Sequence, residues 1–185
     1  IIIARAIASR DFEVLGTSMT TALCTFDTTR AGIIITTGGT DQNQAIIAPH
    51  LDTNQSSWQT VPWGTENSTI WECVVTTAAS IADIKLWAGL KLTNDQLIVT
   101  DANQAYFKFQ TDATNSEAFT DFTLLHFVHS IADTDYISAL PITVAADTQY
   151  HLKIVIDSNR KASIYVNGIQ YNVTSTSGST GGTAV

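Results

Sequence analysis

The chain has 185 residues, of which 44% are hydrophobic and only 14% charged, and its formal net charge is −8. This length suits one domain with a sizeable core, and the apolar fraction is too high for a disordered chain. A pI near 4.7 argues against the basic face that nucleic-acid binding requires. No apolar run approaches the roughly 20 residues of a membrane-spanning helix. Neither nucleic acid nor a membrane is therefore a predicted partner.

The chain begins with three consecutive isoleucines, Ile1, Ile2 and Ile3. One interpretation of residues 1–12 is a first β-strand of the domain. The other is an apolar arm that docks on a neighbouring subunit, because three exposed isoleucines would otherwise favour aggregation. The three isoleucines are therefore candidate interface residues, and the second interpretation predicts a homo-oligomer with exchanged arms.

Strand signals follow a polar segment, 41–59, which is predicted to be mostly loop. The segment Thr69–Thr77 is dense in β-forming residues. Residues 84–91 alternate between apolar and polar types, with Gly89 as a candidate β-bulge. Residues 119–130 form a longer apolar run, which indicates one strand with both faces partly covered.

Strict alternation in Gln104–Gln110 predicts a half-buried strand. The side chains predicted to face the core are Ala105, Phe107 and Phe109, and those predicted to face outward are Tyr106 and Lys108.

The C-terminal part of the chain shows the clearest pattern. Strands are predicted over Tyr150–Asp157, Ala162–Val166 and Ile169–Val173. Asn167-Gly168 separates the last two, and this dipeptide favours the type I′ turn of a β-hairpin because both of its residues tolerate a positive φ. We predict a three-stranded antiparallel meander.

Short strands at roughly 8–12-residue spacing, with no convincing helical period, predict an all-β fold. The predicted architecture is a single antiparallel jelly-roll sandwich over residues 13–173. Residues 174–185 are rich in Ser, Thr and Gly and are predicted to be a tail or a linker.

Candidate catalytic carboxylates are few. A retaining glycosidase needs two carboxyl groups about 5–5.5 Å apart, which residues i and i+2 of one strand could supply. The four glutamates have no carboxylate at such a spacing along a strand: they are Glu13, Glu66, Glu72 and Glu117. The chain is therefore predicted not to be an enzyme, although a pair assembled from separate strands is left open.

Metal-binding patterns are weak. His126 and His129 lie three residues apart in one predicted strand, so their side chains point to opposite faces and cannot share a metal ion. Loop aspartates could bind calcium through oxygen ligands, although their spacing matches no known calcium loop: these are Asp95, Asp101, Asp121, Asp133 and Asp135. No cofactor is predicted, with calcium as the alternative. Cys24 and Cys73 are interpreted as two thiols in preference to a disulfide.

Exposed aromatic rings could stack on sugars or contact a subunit. Trp58 and Trp63 flank Pro62 in a predicted loop, and Tyr106 points outward from its strand. These three residues are candidate interface or glycan contacts.

Two stretches resemble a known protein family. They are WGTENSTIWECVVTTAASIADIKLWAGLKLTNDQLIVTDANQAYFKF, residues 63–109, and TQYHLKIVIDSNRKASIYVNGIQY, residues 148–171. Both resemble structural proteins of tailed-bacteriophage virions that contain a concanavalin-like or laminin-G-like jelly roll, and together they cover about half of the chain. The resemblance carries no catalytic residues over to this sequence.

The resemblance implies a location in the virion, with the major capsid protein or other virion subunits as partners. It favours a capsid decoration or cement protein that stabilises the shell through subunit interfaces. One alternative is a carbohydrate-binding adhesion module of a phage tail or fibre, whose partner would be a surface glycan. A concanavalin-like glycoside hydrolase is the second alternative.

Overall fold

A computed structural model describes most of the chain. The described residues are 12–29, 32–40, 43–49, 68–91, 93, 97–112, 119, 121–159 and 161–173. They form twelve β-strands and two short 3₁₀ turns, Thr21–Leu23 and Ile98–Thr100, without an α-helix. Within these residues, none of the helical segments is long and apolar enough to cross a bilayer. The predicted all-β, antiparallel class is confirmed.

The chain divides into two compact units, Ile1–Trp63 and Gly64–Val185. In the first unit, β1 (Phe12–Leu15) pairs with β4 (Ile46–Pro49), and β2 (Cys24–Asp27) pairs with β3 (Gly32–Ile35). The prediction that 41–59 is mostly loop is wrong for β4. A run this short becomes a strand only because β1 supplies its hydrogen-bonding partner.

The second unit contains two four-stranded sheets. Its strands are β5 (Thr69–Thr76), β6 (Lys85–Leu90), β7 (Gln104–Gln110), β8 (Leu124–Ile131), β9 (Thr134–Thr143), β10 (Gln149–Ile156), β11 (Ala162–Val166) and β12 (Ile169–Tyr171). The first sheet has the order β12–β11–β10–β5, and the second has the order β6–β7–β8–β9. These sheets use residues 69–171, a narrower range than the predicted sandwich of 13–173.

One apolar core lies between the two sheets. Side chains from both sheets belong to it, with Phe107, Phe127 and Leu140 from the second sheet and Leu152 and Ile154 from the first, all buried. The Phe107 and Phe127 rings meet edge to face with their centroids 5.4 Å apart. Burying each such side chain stabilises the fold by about 1.5–3 kcal/mol. The two sheets are therefore held together as a β-sandwich.

The inward positions predicted from alternation are confirmed. They are Ala105, Phe107 and Phe109 of β7, which lie in the core between the sheets. One side of β10 lies in the same core, with Tyr150, Leu152, Ile154 and Ile156. The predicted β10–β11–β12 meander is confirmed as well. Its last turn has φ values of 53° at Asn167 and 82° at Gly168, as a type I′ turn requires.

Sequence patterns missed β9 altogether. It follows β8 through a two-residue turn, Ala132-Asp133, whose φ values are 49° and 63°. Such a turn normally uses Asn-Gly or Asp-Gly, so Ala-Asp gives no hairpin signal. Pro141 within β9 removes a backbone donor and weakens the strand pattern further.

Two further predictions need correction. β8 starts at Leu124 and not at residue 119. A turn precedes the strand, because Asp121 Oδ1 accepts hydrogen bonds from the Thr123 backbone N–H (2.8 Å) and from the Thr123 hydroxyl (2.6 Å).

Gly89 is not a bulge, since it pairs in regular register with Tyr106. A Cβ at Gly89 would lie 2.5 Å from the Tyr106 Cα, so only glycine permits this close approach.

Candidate functional site

The outward-facing side of the first sheet is exposed along β5 and partly exposed along β10, β11 and β12. We call its side chains the open face: Ile70, Glu72, Val74, His151, Lys153, Val155, Ser163, Tyr165 and Gln170. Ile70 is 62% exposed and Val74 is 58% exposed, and both lie on the edge strand β5. Large apolar side chains that point outward from a sheet in this way are typical of an interaction surface.

A polar row crosses the centre of the open face. Glu72 hydrogen-bonds through Oε1 to His151 Nε2, and its Oε2 lies 4.0 Å from Lys153 Nζ. The same ammonium group lies 5.8 Å from the centroid of the Tyr165 ring. Glu72 and His151 are both nearly half exposed, so these polar contacts are screened by water and contribute little to stability.

The outward-facing side of the second sheet is buried. We call its side chains, with Trp87, Tyr106, Lys108, His126 and Val128 as the principal members, the covered face. Ile98 and Phe119, from the segments before β7 and before β8, pack against it. The covered face thus has a second apolar cluster of its own, separate from the core between the sheets.

The placement of Tyr106 corrects its prediction as an interface or glycan contact. Its side chain points outward from the sheet, as the alternation predicts, but it is only 1% exposed. Its ring packs with Ile98, Phe119 and Val128 and has no face free for stacking on a ligand. Alternation identifies the face of a sheet, but it does not show whether a loop covers that face.

An ion pair anchors the segment that contains Ile98, which packs on the covered face. Lys91 Nζ lies 2.7 Å from Asp101 Oδ2, with the two side chains 6% and 1% exposed. The Thr93 backbone N–H also donates to Asp101. Burial by itself would raise the pKa of the Asp101 carboxyl group, but the Lys91 hydrogen bond and charge together with the Thr93 hydrogen bonds outweigh it, so the pKa is lowered.

His126 and Lys108 are buried next to each other on the covered face, in register on β7 and β8. His126 Nδ1 lies 2.9 Å from the Leu124 carbonyl oxygen and so donates to it, and Phe119 packs edge to face on the imidazole at 4.4 Å between centroids. Burial lowers the pKa of His126, more than its hydrogen bond to Leu124 and the charge of Asp121 raise it. The ring is therefore neutral at pH 7.

His129 lies on the opposite face of β8, as predicted. Its ring stacks on Tyr136 at 4.7 Å between centroids, with an interplanar angle of 6°. Burial lowers the pKa of His129 as well. The two histidines of β8 are thus kept apart by the pleat of the strand.

Three of the predicted calcium ligands have other partners. Asp101 pairs with Lys91, Asp121 caps a turn at Thr123, and Asp135 accepts a hydrogen bond from the Ser130 hydroxyl (2.6 Å). Among the residues that the structure describes, no three His, Cys, Asp or Glu side chains group together in a way that could hold a metal ion.

The other predicted site residues have a mixed outcome. Both cysteines are free thiols, as predicted, and burial against the core raises the pKa of Cys73 to about 11, so it is not a reactive thiolate. Ile1, Ile2, Ile3, Trp58 and Trp63 lie outside the described residues, as does Asp95.

Sequence reasoning missed the polar row of the open face. Glu72 and His151 are 79 residues apart in the chain, and only the pairing of β5 with β10 places them side by side. The sequence does indicate, through alternation, that both side chains lie on the outward-facing side of their strands. Alternation does not show which strands are neighbours in the sheet.

Comparisons of the chain with protein-family models, with curated proteins and with solved structures found no match. A functional proposal for this chain therefore rests on its own residues and on the geometry of its two sheet faces.

Proposed function

We propose that this chain is a structural protein of a tailed-bacteriophage virion, and specifically a decoration or cement protein of the capsid shell. We also propose that its sandwich is a jelly roll of the concanavalin or laminin-G type. The resemblance of residues 63–109 and 148–171 to such virion proteins supports both proposals. Two four-stranded antiparallel sheets around one core are compatible with that architecture.

The open face is the observation that carries the functional proposal. It combines exposed aliphatic side chains, Ile70 and Val74, with one central row of polar groups. Apolar area with a few charged pairs is what subunit interfaces present. A protein that stabilises a shell needs such a surface and no reactive centre.

The open face supports the enzyme alternative less well. Glu72 is the one carboxylate in the strands β5, β10, β11 and β12, and its neighbours across the sheet are His151 and Lys153. A glycosidase of either stereochemistry needs two carboxyl groups at the scissile bond. We therefore propose a non-enzymatic role.

Shell stabilisation follows from binding linkage. A protein that binds assembled subunits and not dissociated ones stabilises the assembly in proportion to RT ln(1 + [L]/Kd), which is about 2.7 kcal/mol at a hundredfold excess over Kd. Many copies on one shell would add this contribution at many interfaces. The measurable consequence is a higher temperature of shell rupture.

Location in the virion is the direct test. Antibodies raised against this chain, gold-labelled, are applied to intact virions and imaged by electron microscopy, with antibody pre-absorbed on the purified chain as the control. We expect label spread over the head. Label confined to the tail or its tip would overturn the cement role and favour the adhesion module, and particles without label would overturn the virion role altogether.

A second test asks whether the open face is the interface. Ile70→Ser with Val74→Ser, added back to particles that lack the chain, should fail to raise the rupture temperature. The control is Ile131→Ser with Val99→Ser, since these residues have a similar exposure of 57% and 76% but lie outside the open face. Equal stabilisation by both variants would show that the open face is not used.

A further inference from the structure

The turn between β11 and β12 contains a reactive dipeptide. Asn167-Gly168 is the only Asn-Gly sequence in the chain, and both residues are exposed. We propose that Asn167 is a site of spontaneous deamidation, and that the folded turn prevents the reaction until the β11–β12 hairpin opens. This reaction is independent of the proposed function, because it involves one turn of the sandwich and no partner.

An asparagine followed by glycine is reactive for a steric reason. The attacking group is the backbone nitrogen of the second residue, and glycine has no Cβ to hinder its approach. The Gly168 nitrogen attacks Asn167 Cγ and gives up its proton as the new N–C bond forms. The bond from Cγ to Nδ2 then breaks, and the side-chain amide leaves as ammonia. The product is a succinimide ring.

Water is the one co-reactant, and it opens the ring at either carbonyl group. Hydrolysis of the bond between Cγ and the Gly168 nitrogen gives an ordinary aspartate. Hydrolysis of the bond between the backbone carbonyl carbon of Asn167 and that nitrogen gives isoaspartate, in which the main chain runs through Cβ and Cγ. Nothing is oxidised or reduced in either step, so the reaction needs no further reactant.

The backbone of the folded turn keeps the reacting atoms apart. Asn167 has a φ of 53° and Gly168 has a φ of 82°, as in a type I′ turn, whose first central residue has a ψ of about +30°. At that ψ the Gly168 nitrogen lies nearly opposite Cβ across the Cα–C bond of Asn167. Ring closure requires the nitrogen and Cβ on the same side of this bond, and that rotation of about 150° is incompatible with the turn.

His151 holds Asn167 in this unreactive arrangement through two hydrogen bonds. The His151 backbone N–H donates to Asn167 Oδ1 (2.8 Å), and the Asn167 backbone N–H donates to the His151 carbonyl oxygen (2.8 Å). Together they fix both the side chain and the main chain of the residue that would react.

Opening of the hairpin is a local event. β12 is an edge strand of the first sheet and pairs with β11 from Val166 with Ile169 to Ile164 with Tyr171. Its apolar anchor is Tyr171, which is buried in the core between the sheets. Detaching so short a strand costs less free energy than unfolding the sandwich. Because opening is fast relative to this chemistry, the rate of deamidation follows the fraction of open hairpin.

The two products have different effects on the hairpin. Aspartate leaves the main chain unchanged, and its carboxylate still accepts the His151 N–H. Isoaspartate lengthens the main chain by one methylene group, whereas a type I′ turn joins its strands through two residues of standard length. An isoaspartyl turn therefore does not restore the pairing of Val166 with Ile169, and a transient opening becomes a permanent one.

The test compares the full-length chain in its folded and unfolded states. The chain is incubated at mildly alkaline pH, with and without guanidinium chloride above its unfolding midpoint, and peptide mapping by mass spectrometry follows the conversion of Asn167. We expect conversion in the folded chain to be at least about tenfold slower, which corresponds to an opening free energy of at least about 1.4 kcal/mol. Equal rates in the two states, or no conversion in the unfolded chain, would overturn the inference.

A pair of variants distinguishes local opening from global unfolding. Tyr171→Ala removes the anchor of β12 and should recover most of the difference in rate while the chain stays folded, because truncation of a buried aromatic side chain strongly weakens its packing. Val128→Ala weakens the packing on the second sheet instead and should leave the rate within about twofold of the wild type. Equal acceleration by both variants would show that the reaction follows global unfolding. If circular dichroism shows that Tyr171→Ala does not fold, Tyr171→Leu takes its place and should act in the same direction.

The products are tested separately. Asn167→Asp reproduces the aspartyl product and should keep the urea midpoint of the wild type, since it keeps the acceptor for His151. The isoaspartyl form, separated by chromatography, should exchange the amide hydrogens of β12 faster than the wild type and faster than Asn167→Asp. An isoaspartyl chain with full protection of β12 would contradict the permanent opening.

Discussion

The two outward-facing sheet surfaces of the sandwich have the same backbone pattern and opposite environments. The covered face buries Tyr106, Lys108 and His126 beneath Ile98 and Phe119. The open face leaves Ile70 and Val74 more than half exposed. Because a buried polar group must be compensated while an exposed one is solvated, stability should depend on the covered face and association on the open face. Matched substitutions on the two faces can test this division.

The largest expected difference is between two variants that each lose one lysine, one on the covered face and one on the open face. Lys91→Ala removes the ammonium group that compensates the buried Asp101 carboxylate, and breaking a buried pair in this way costs several kcal/mol. We expect a loss of about 3 kcal/mol in the free energy of unfolding, measured by urea denaturation. Lys153→Ala on the open face, where the ion pair is solvated, should cost less than about 1 kcal/mol. Equal losses from the two variants would remove the distinction between the faces.

The second comparison truncates one valine on each face and measures the loss of stability. Val128 is fully buried on the covered face, whereas Val74 is 58% exposed on the open face. Val128→Ala should cost about 2 kcal/mol, since it removes two methyl groups and leaves a cavity. Val74→Ala should cost less than about 0.5 kcal/mol in urea denaturation. A large effect at Val74 would mean that this side chain is buried in the folded monomer.

The third comparison uses the pH dependence of stability, which the buried histidines control. Burial lowers the pKa of His126 in the folded state, so the unfolded chain binds its proton more tightly. Stability is therefore full above the unfolded pKa of about 6.5 and falls as the pH decreases from there toward the lower, folded pKa. Burial also lowers the pKa of His129, so this residue adds to the same slope.

His126→Gln should reduce this slope by up to about 1.4 kcal/mol per pH unit below a pH of about 6.5. The measurement is the urea unfolding free energy between about pH 7.5 and 5, a range that brackets the unfolded pKa. Val74→Ala, which lies on the exposed side of the first sheet and removes no titratable group, is the control and should keep the slope of the wild type. An unchanged slope in the His126 variant would contradict a neutral, buried imidazole.

Local sequence patterns predicted the strands whose signals are contained within a few residues. β7 and the meander β10–β11–β12 follow from alternation, and Asn167-Gly168 fixes the last turn through its tolerance of positive φ. β9 escaped because its turn uses Ala132-Asp133, a sequence that adopts this conformation only when the surrounding sheet imposes it. β4 escaped because four residues are too few to show a period.

The sequence by itself determined that the chain forms antiparallel strands, and which side of an alternating strand such as β7 faces the core, because alternation at period two is a property of the local backbone. Only the tertiary structure decided what lies outside that core. Tyr106 and Ile70 both point outward from their sheets, but Tyr106 is buried under a loop whereas Ile70 is exposed. Likewise Glu72 meets His151 only through the pairing of β5 with β10. Which strands become neighbours, and which faces are covered, depends on contacts between residues distant in the chain, and these contacts leave no periodic signal in it.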